Sequence, residues 1–411
     1  MIKEEIWKKN FYVLWSGQFI SIAGLTVLVP LLPFYMKELG ATSMQSIQFW
    51  SGLALAAPAV SLAVMSPIWG KLGDRFRRKW MVVRALVGLC VCLLLMAIAT
   101  SPLQFLVIRV MQGAFGGIVD ASSAFVSMEA PKDERGKALG NLQSAEAAGA
   151  LVGPLLGGIL VDLWGFRPLL LTMGILTGIS ALVAAFTLTE QSKKNIFNEK
   201  LRKQTHFTVL QTFHILFSHQ CTRGFIMAGF AAKFAVFGLV TAFAPYVENI
   251  SQSPHLAATW IGFIQAAMWG ATFISSPWWG KQNDKRSVEI NYVIATLACG
   301  VSIILQAYTE SMISLLLLRV FQGLTFSALI QSVVFVVVQY SHGQNRGVSI
   351  GATNSLLVGG QIAGSLSGSA IAGMFSPSIV FVVMGAILIV SAFFVLPRVA
   401  NQMKHPSIGK S

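Results

Sequence analysis

The sequence predicts an all-α membrane protein in which 12 transmembrane helices form two pseudo-symmetric six-helix bundles (6+6) around a central cavity. Hydrophobic residues make up 55% of the 411 residues and charged residues only 11%, whereas ordinary soluble domains are about 25% charged. Twelve apolar runs follow one another along the chain, each close to the roughly 20 residues that a bilayer-spanning helix requires. The second half of the chain also repeats the motifs of the first half.

The apolar runs define the individual spans. Six fall in the first half of the chain, at residues 12–36, 48–69, 79–99, 102–126, 138–162 and 166–188. Six more fall in the second half, at residues 222–246, 259–279, 289–307, 311–337, 347–373 and 377–397. Glycine and proline inside these runs are compatible with membrane helices. The first run follows a charged segment that has no small-residue cleavage site, so we expect a retained span and not a signal peptide.

The internal repeat divides the chain into two halves. Pro67-Ile68-Trp69-Gly70-Lys71 recurs 210 residues later as Pro277-Trp278-Trp279-Gly280-Lys281, and Arg109-Val110-Met111-Gln112-Gly113 recurs at the same offset as Arg319-Val320-Phe321-Gln322-Gly323. Two parallel copies of a multi-helix membrane unit are typical of transporters whose site lies between the halves. We therefore expect an N-terminal bundle over residues 1–188, a cytoplasmic linker over 189–221, and a C-terminal bundle with a short cytoplasmic tail over 222–411.

The placement of the basic residues indicates orientation. With the N-terminus inside, the loops on that side carry 23 of the 30 lysines and arginines, the opposite loops carry two, and five lie within spans. This asymmetry follows the positive-inside rule and places both termini in the cytoplasm. The formal net charge of +14 is thus explained by membrane topology and anionic lipid, not by nucleic acid. We expect a multi-pass protein of the cytoplasmic (inner) membrane.

The sequence contains no pattern typical of an enzyme or a metal site. The four cysteines lack zinc-ligand spacing, and the chain has no HExxH motif, no nucleophile–base set and no phosphate-binding glycine loop. Gly113-Ala114-Phe115-Gly116-Gly117 lies inside a span, where we interpret the glycines as helix packing. We expect neither a cofactor nor a metal, and no direct use of ATP.

Three motifs carry a resemblance to a known family. The loop Gly70-Lys71-Leu72-Gly73-Asp74-Arg75-Phe76-Arg77-Arg78-Lys79 is similar to the G-x-L-x-D-R-x-x-R-K signature of the major facilitator superfamily. Span five, over Gly149 to Gly158, resembles the G-x-x-x-G-P-x-x-G-G motif of its 12-span drug:proton antiporters, the multidrug-resistance and tetracycline-exporter-like branch. Arg109 with Gln112-Gly113 matches the R-x-x-Q-G motif of the same branch.

The resemblance implies a function. It implies a monomeric, proton-coupled secondary transporter that exports small amphipathic compounds by alternating access, hence antiport, efflux and multidrug resistance. Its partners would be a small-molecule substrate, protons and the lipid bilayer. It also implies that the loop after span two is a conformational latch, made in one state and broken in the other, which involves Gly70, Asp74, Arg75 and Arg78. The alternative is a tight turn combined with positive-inside topology.

Span five has two interpretations. Gly149, Gly153 and Gly157 form a strip of small residues that lets a neighbouring helix approach closely, and Pro154 removes one backbone hydrogen bond and bends the helix. The resemblance implies a kinked, sealed contact between the halves that is associated with export. Ordinary small-residue packing is the alternative, because the second half keeps the glycines as Gly360, Gly364 and Gly368 but carries Ser365 in place of Pro154.

Charges inside spans are candidates for function because they are costly in a bilayer. Arg109 has a counterpart in Arg319, so this pair is consistent with a structural role. Asp120 and Glu146 have none, since Ile330 and Leu357 stand at the matched positions. Arg109, Gln112, Gly116 and Asp120 are expected on one helix face, and Glu146 at a depth similar to that of Asp120.

Two carboxylates at one depth in a low dielectric could share a proton. We therefore expect Asp120 and Glu146 to form the proton-coupling site, with Arg109 tuning it. The alternative places Asp120 at the membrane interface and makes Glu146 a partner of Arg109.

Lys233 is the third charge without a counterpart, since its approximate match is Ala23. It lies near the middle of span seven, and the resemblance implies that spans one, four, seven and ten line the cavity. We expect Lys233 to hold an anionic or zwitterionic substrate group or to pair with Glu146; snorkelling is the alternative. Further cavity candidates are Gln18, Phe115, Phe237, Phe326 and Gln331. A cationic cavity favours a second function, a dedicated exporter or permease for an anionic metabolite such as a siderophore.

Overall fold

The computed structural model describes residues 2–130, 135–190, 215–251, 254–285, 287–340 and 346–395. Within these residues the secondary structure is helical, with short connecting turns and loops, and contains no strand. The first half consists of α1 (Ile2–Thr26), a short 3-10 turn (Val29–Leu31), α2 (Leu32–Glu38), α3 (Met44–Arg75), α4 (Arg78–Ala97), α5 (Pro102–Phe115), α6 (Ile118–Glu129), α7 (Arg135–Trp164) and α8 (Phe166–Thr187). Serine side chains begin two of these helices, because the Ser43 and Ser101 hydroxyls accept backbone N–H groups of the first turn.

The second half has the same order of elements. It consists of α9 (Gln220–Gly238), α10 (Val240–Ile250), a 3-10 turn (Pro254–Leu256), α11 (Ala257–Lys285), α12 (Val288–Gln306), α13 (Met312–Tyr340), α14 (Arg346–Met374), α15 (Pro377–Ser391) and a final 3-10 turn (Ala392–Phe394). Pro102 and Pro377 stand at the starts of α5 and α15, where the missing N–H of proline costs no helical hydrogen bond.

Twelve helical segments of the described chain are long and apolar enough to cross a membrane. They run over 6–38, 44–66, 78–97, 102–129, 138–164 and 166–187 in the first half and over 220–250, 257–283, 288–306, 312–340, 349–374 and 377–394 in the second. The prediction of an all-α protein with 12 spans is confirmed. The ends differ from the predicted ones mainly where polar residues continue a helix beyond its apolar core, as at the start of span one.

Span four differs from the prediction in its backbone. It is not one helix but two, because α5 ends at Phe115 and α6 begins at Ile118. Gly117 between them has a φ of 97°, a left-handed conformation that favours glycine. The interpretation of Gly116-Gly117 as helix packing was therefore wrong, and so was the single helix face drawn from Arg109 to Asp120. The matching span in the second half, α13, is continuous.

The chain forms two compact units. The first comprises residues 1–198 and 251–266, and the second comprises residues 199–250 and 267–411. The division falls inside α11, whose first turns therefore belong to the first unit. Most of the predicted linker, residues 191–214, lies outside the described residues, as does the tail from 396 onward.

The two units share internal hydrogen bonds at matched positions. The indole Nε1 of Trp69 donates to the Ala114 carbonyl at 2.6 Å, and Trp279, at the matched position, donates to the Leu324 carbonyl at 2.7 Å. In a second such pair, the Tyr35 hydroxyl donates to the Met96 carbonyl and the Tyr246 hydroxyl to the Gln306 carbonyl. The sequence repeat thus corresponds to a repeated internal structure.

The glycine strip of span five packs against span one. A Cβ atom built on Gly149 or Gly153 would lie closer than 3.0 Å to α1, at Phe19 and Ala23 respectively, and one on Gly157 equally close to Val27, just after the end of α1. In the second unit, Gly360, Gly364 and Gly368 of α14 approach the backbone of α9 in the same way. Because this contact occurs in both units and joins helices of the same unit, the strip fits the alternative of ordinary small-residue packing.

Candidate functional site

The break in span four positions Asp120. Since α6 begins at Ile118, Asp120 lies in its first turn, three residues after the left-handed Gly117. Its carboxylate is exposed and lines a cavity of about 300 Å³. The cavity lies in the first unit and is lined by α3, α4, the end of span-four helix α5 and α6. Within the described part of the chain, Asp120 forms no ion pair, and none of the hydrogen bonds involves it.

Arg84 of α4 lines the same cavity. Its Nη2 donates to the carbonyl of Gly116 at 2.9 Å, and its guanidinium carbon lies 3.6 Å from the centroid of the Trp69 ring. Its Nε and Nη1 are buried and have no hydrogen-bond partner among the described residues. Arg84 was not among the site residues predicted from the sequence, although the repeat distinguishes it, because Ile294 stands at the matched position.

Arg109 has a different environment from the one predicted. Its Nε donates to the Ala54 carbonyl at 2.9 Å and its Nη1 to the Gln112 side chain at 2.7 Å. Arg319 likewise donates to the side chain of Gln322, at 3.1 Å. These contacts join each arginine to its own unit, and in the described chain Arg109 contacts neither Asp120 nor Glu146. The geometry therefore supports a structural role for the repeated arginines.

Glu146 lies on α7 with an exposed side chain. Glu146 forms no hydrogen bond with Asp120, because no hydrogen bond or ion pair of the described residues involves Asp120. A proton shared directly by the two carboxylates is thus not present in this conformation. Each carboxylate remains a separate candidate for proton binding.

The candidate cavity residues divide between the units. In the first unit, Gln18 is buried and its Nε2 donates to the Leu142 carbonyl at 3.2 Å, while Phe115 is 39% exposed. In the second unit, Lys233 is half-buried and its ammonium lies 5.2 Å from the ring centroid of Phe237.

Two further candidates belong to α13 of the second unit. Phe326 is buried. The Nε2 of Gln331 donates to the Ser276 hydroxyl, while its Oε1 is buried without a partner in the described chain. Buried amide oxygens left unsatisfied at Gln18 and Gln331 are unusual in a packed interior, so these two residues remain candidates for substrate contact.

The predicted latch is only partly described. The side chains of Gly70, Asp74 and Arg75 lie outside the described residues. Arg78 begins α4, lines the cavity of Asp120, and donates its backbone N–H to Glu190 at 3.4 Å. The latch therefore stays a prediction.

Pro154 and Gly158 face the start of α11. A Cβ on Gly158 would lie closer than 3.0 Å to the Ala258 carbonyl, and a Cβ on Gly262 would lie equally close to the Pro154 carbonyl. This contact is separate from the strip of Gly149, Gly153 and Gly157, which faces α1. The residues of the span-five motif thus serve two interfaces on different faces of α7.

Asp162 extends this contact with α11 and was missed by the sequence analysis. Its Oδ2 accepts hydrogen bonds from both the backbone N–H and the hydroxyl of Thr259, each at 2.6 Å. A carboxylate at the first turn of a helix is also favoured by the helix dipole. The repeat would again have identified it, because Gly373 stands at the matched position.

The described ranges can be compared with the arrangements of side chains that bind metal ions. They contain no group of three or more His, Cys, Asp or Glu side chains arranged to hold a metal ion. Cys92 and Cys299 are buried free thiols.

Comparison with known proteins gives a consistent result over the whole chain. The sequence profile described as Major Facilitator Superfamily matches residues 14–251 and 232–411. The Staphyloferrin B transporter of Staphylococcus aureus is 48% identical over an alignment of 416 positions, which covers 100% of this chain and 98% of that protein. The multidrug resistance protein MdtG of Yersinia enterocolitica is 30% identical and covers 94% of this chain and 92% of its own.

Solved structures share the fold. A bacterial homologue of the human lysosomal transporter Spinster, in an inward-facing and unoccupied conformation, superposes with a TM-score of 0.78 at 15% identity and covers 98% of both chains. The nucleoside transporter NupG has a TM-score of 0.76 at 14% identity and covers 94% of this chain and 98% of its own. At such identities the likeness establishes the fold and not the substrate.

Proposed function

The chain belongs to the major facilitator superfamily, and from this membership we propose that it is a proton-coupled exporter of an anionic siderophore of the staphyloferrin B type. It is a multi-pass membrane transporter and not an enzyme. The observation that carries the choice of substrate is the relative named for staphyloferrin B transport, which is 48% identical along the whole chain, against 30% for the MdtG relative.

Lys233 supports an anionic substrate. It is a half-buried cation in the middle of α9, where a charge is costly in a bilayer. A lysine that lines an aqueous cavity avoids most of that cost and offers three hydrogen-bond donors to a carboxylate. In our proposal Lys233 binds a carboxylate of the substrate, and Gln18 and Gln331 supply neutral contacts.

Proton coupling is assigned to carboxylates of the first unit. Asp120 lines the cavity beside the break in span four, and the described chain gives it no ion pair. No neighbouring charge therefore fixes its protonation state. Glu146 of α7 is exposed and is kept as a second proton site. We assign Arg109 only an indirect effect on proton binding, because it donates its hydrogen bonds to Ala54 and Gln112.

The remaining parts of the proposal concern cellular context. We place the transporter as a monomer in the cytoplasmic membrane, with both termini in the cytoplasm, because the basic residues concentrate in loops on one side. Transport proceeds by alternating access, with the loop after span two as the latch. No nucleic acid takes part.

A second candidate function is multidrug export by proton antiport. The MdtG relatives, at 28–30% identity over 94% of this chain, favour it, and so does the span-five motif. The difference between the candidates is the charge of the substrate, which a competition experiment measures directly.

The test is transport of iron-free staphyloferrin B into everted membrane vesicles, followed by mass spectrometry. We expect uptake that competes with other polycarboxylates and is insensitive to a lipophilic cation such as tetraphenylphosphonium. Vesicles without the transporter are the control. Inhibition by the cation and not by polycarboxylates would favour the multidrug function, and uptake that required sodium would contradict proton coupling.

A further inference from the structure

The cavity at Asp120 brings together a carboxylate and a guanidinium whose hydrogen-bonding capacity is incompletely used. Asp120 projects from the first turn of α6, and Arg84 projects from α4. Both line the same space of about 300 Å³, and no salt bridge joins them in the described structure. The two side chains therefore line one cavity without pairing with each other.

The guanidinium of Arg84 contacts a backbone carbonyl and an aromatic ring, and no carboxylate of the described residues. Its Nη2 donates to the Gly116 carbonyl at 2.9 Å and its guanidinium stacks on Trp69, with 3.6 Å from the guanidinium carbon to the ring centroid. Its Nε and Nη1 are buried, and no acceptor within the described residues reaches them. Because buried charged donors without acceptors are unfavourable, an arginine in this state gains free energy when an ionised carboxylate comes within reach.

The acceptor of Arg84 lies at the break in span four. Gly116 follows the last residue of α5, Gly117 takes the left-handed conformation, and α6 with Asp120 follows directly. The hydrogen bond from Arg84 to Gly116 therefore connects α4 to the break between α5 and α6. A movement of Arg84 from Gly116 to Asp120 would remove this connection.

The repeat separates this arrangement from the architecture common to both units. The hydrogen bond from Trp69 to Ala114 recurs in the second unit, from Trp279 to Leu324. Arg84, the glycine break and Asp120 do not recur. Ile294 and Ile330 occupy the positions that match Arg84 and Asp120, and α13 is continuous. An element found in only one of two equivalent units is not required for the packing that both units share.

We propose that Arg84 is a positioning residue for proton coupling, which exchanges the Gly116 carbonyl for the Asp120 carboxylate when Asp120 loses its proton. The conformation described above corresponds to protonated Asp120, with Arg84 bound to Gly116. Ionised Asp120 draws Arg84 across the cavity and frees the hinge at Gly116-Gly117. The inference rests on the proposed function, in which Asp120 carries the coupled proton.

Asp120 is the carboxylate among the described residues that line the cavity, so no other lining residue competes with it for Arg84. Arg78 is the remaining charged residue among those that line it, and the others are Leu62, Ser66, Trp69, Met81, Gly116, Gly117, Ala121 and Ala124. Arg78 has contacts of its own, as does Glu129 at the end of α6 and Glu146 of α7. No side chain of α1 or α7 within the described residues lines the cavity.

The test measures access to the cavity as a function of pH. The four native cysteines are first replaced, and Ala124→Cys places a single thiol on the cavity wall. A second protein carries Val334→Cys, the matched and similarly half-buried position of α13. The rate of alkylation by N-ethylmaleimide is measured for both proteins. The ratio of the two rates removes the pH dependence of reactivity that the two thiols share.

The expected result is a rate ratio that falls severalfold as the pH rises, because the Arg84–Asp120 pair then fills the cavity. The ratio loses its pH dependence in both Asp120→Asn and Arg84→Gln, and keeps it in Arg84→Lys, which retains a cation. A ratio that stays pH-dependent in Asp120→Asn or in Arg84→Gln overturns the inference. The exposed position of Asp120 keeps Asp120→Asn informative even if Arg84→Gln fails to fold.

Proton movement separates this inference from the proposed function. If Asp120→Asn vesicles retain full substrate-driven proton movement, the assignment of Asp120 fails and the inference fails with it. If Asp120→Asn abolishes proton movement but the ratio in Arg84→Gln still follows pH, the proposed function stands and the role of Arg84 alone is rejected.

Discussion

At the level of single residues, the charged side chains of the spans fall into two groups. Arg109 and Arg319 occupy matched positions and make matched contacts, each with the glutamine three residues later, so they belong to the architecture of the units. Arg84, Asp120 and Lys233 have no charged counterparts. The repeat therefore directs functional experiments to the second group, and the first group supplies structural controls.

The first prediction concerns Lys233. Lys233→Met removes the cation proposed to bind a substrate carboxylate, and we expect transport of iron-free staphyloferrin B to fall at least about tenfold, as expected for the loss of a charged hydrogen bond of roughly 1.5–3 kcal/mol. Lys9→Met is the matched control, because Lys9 is an exposed lysine of α1. Equal transport by both variants would show that Lys233 does not contact the substrate.

The second prediction concerns the two carboxylates. Asp120→Asn removes a titratable group without changing its size, and we expect substrate-driven proton movement to be lost while substrate binding to the purified protein persists. Glu146→Gln is measured in parallel to decide whether α7 carries a second proton site. Unaltered proton movement in both variants and in their combination would exclude these carboxylates from coupling.

At the level of helices, the sequence predicted the spans well because length and hydropathy are local properties. All twelve predicted spans correspond to observed helical segments. The break at Gly116-Gly117 was not predicted, because paired glycines also occur in unbroken membrane helices as packing sites. Whether such a pair breaks the helix depends on its tertiary contacts, and at this break the Gly116 carbonyl accepts a hydrogen bond from Arg84.

The motif of span five was only partly interpretable for the same reason. The spacing of Gly149, Gly153 and Gly157 predicted close helix approach, and the approach exists, but the partner is α1 of the same unit. A single sequence gives the face of a helix and not the identity of its neighbour. Asp162 was overlooked because it lies at the predicted end of its span, where charges are ordinary.

The third prediction tests the glycine strip. Gly153→Ala would place a methyl group within 3.0 Å of the backbone of α1, and overpacking of this kind costs on the order of 1–3 kcal/mol. We expect a lower melting temperature in detergent. Gly140→Ala on the same helix is the control, because a Cβ there meets nothing within 4 Å, and it should leave the melting temperature unchanged or slightly higher. Similar melting temperatures for the two variants would contradict the packing described.

The fourth prediction tests the hydrogen bonds of Asp162. Asp162→Ala removes the acceptor of both Thr259 donors and should destabilise the protein by about 1 kcal/mol, as for other lost helix caps. Asp162→Asn keeps an oxygen acceptor without the charge, so we expect a smaller loss. Thermal unfolding followed by a thiol-reactive dye suits this protein because Cys92 and Cys299 are buried. No change in either variant would mean that the bonds contribute nothing to stability.

At the level of the whole molecule, two units of similar internal structure carry different charges. Their shared features are the tyrosine and tryptophan hydrogen bonds and the glycine strips. The first unit adds Arg84, Asp120 and Asp162, and the second adds Lys233. In our account the first unit binds the proton and the second binds the anionic substrate, so that transport depends on both.

The sequence could establish the fold of the molecule but not its substrate. Family motifs and span composition apply to exporters of many compounds, and a single lysine indicates only the sign of a charge. The 48% identity with the Staphyloferrin B transporter over the whole chain is the reason why we propose a siderophore as the substrate, and it reverses the order of the two functions that the sequence alone suggested.

Proton-coupled export of the siderophore is tested most simply by proton movement in everted vesicles that contain the transporter and a pH-sensitive dye. After respiration has acidified the interior, addition of iron-free staphyloferrin B should release protons from the vesicles and restore dye fluorescence. The Asp120→Asn protein should give no such recovery, and neither should vesicles without the transporter. Uptake of the siderophore by the native protein without any proton release would contradict the account.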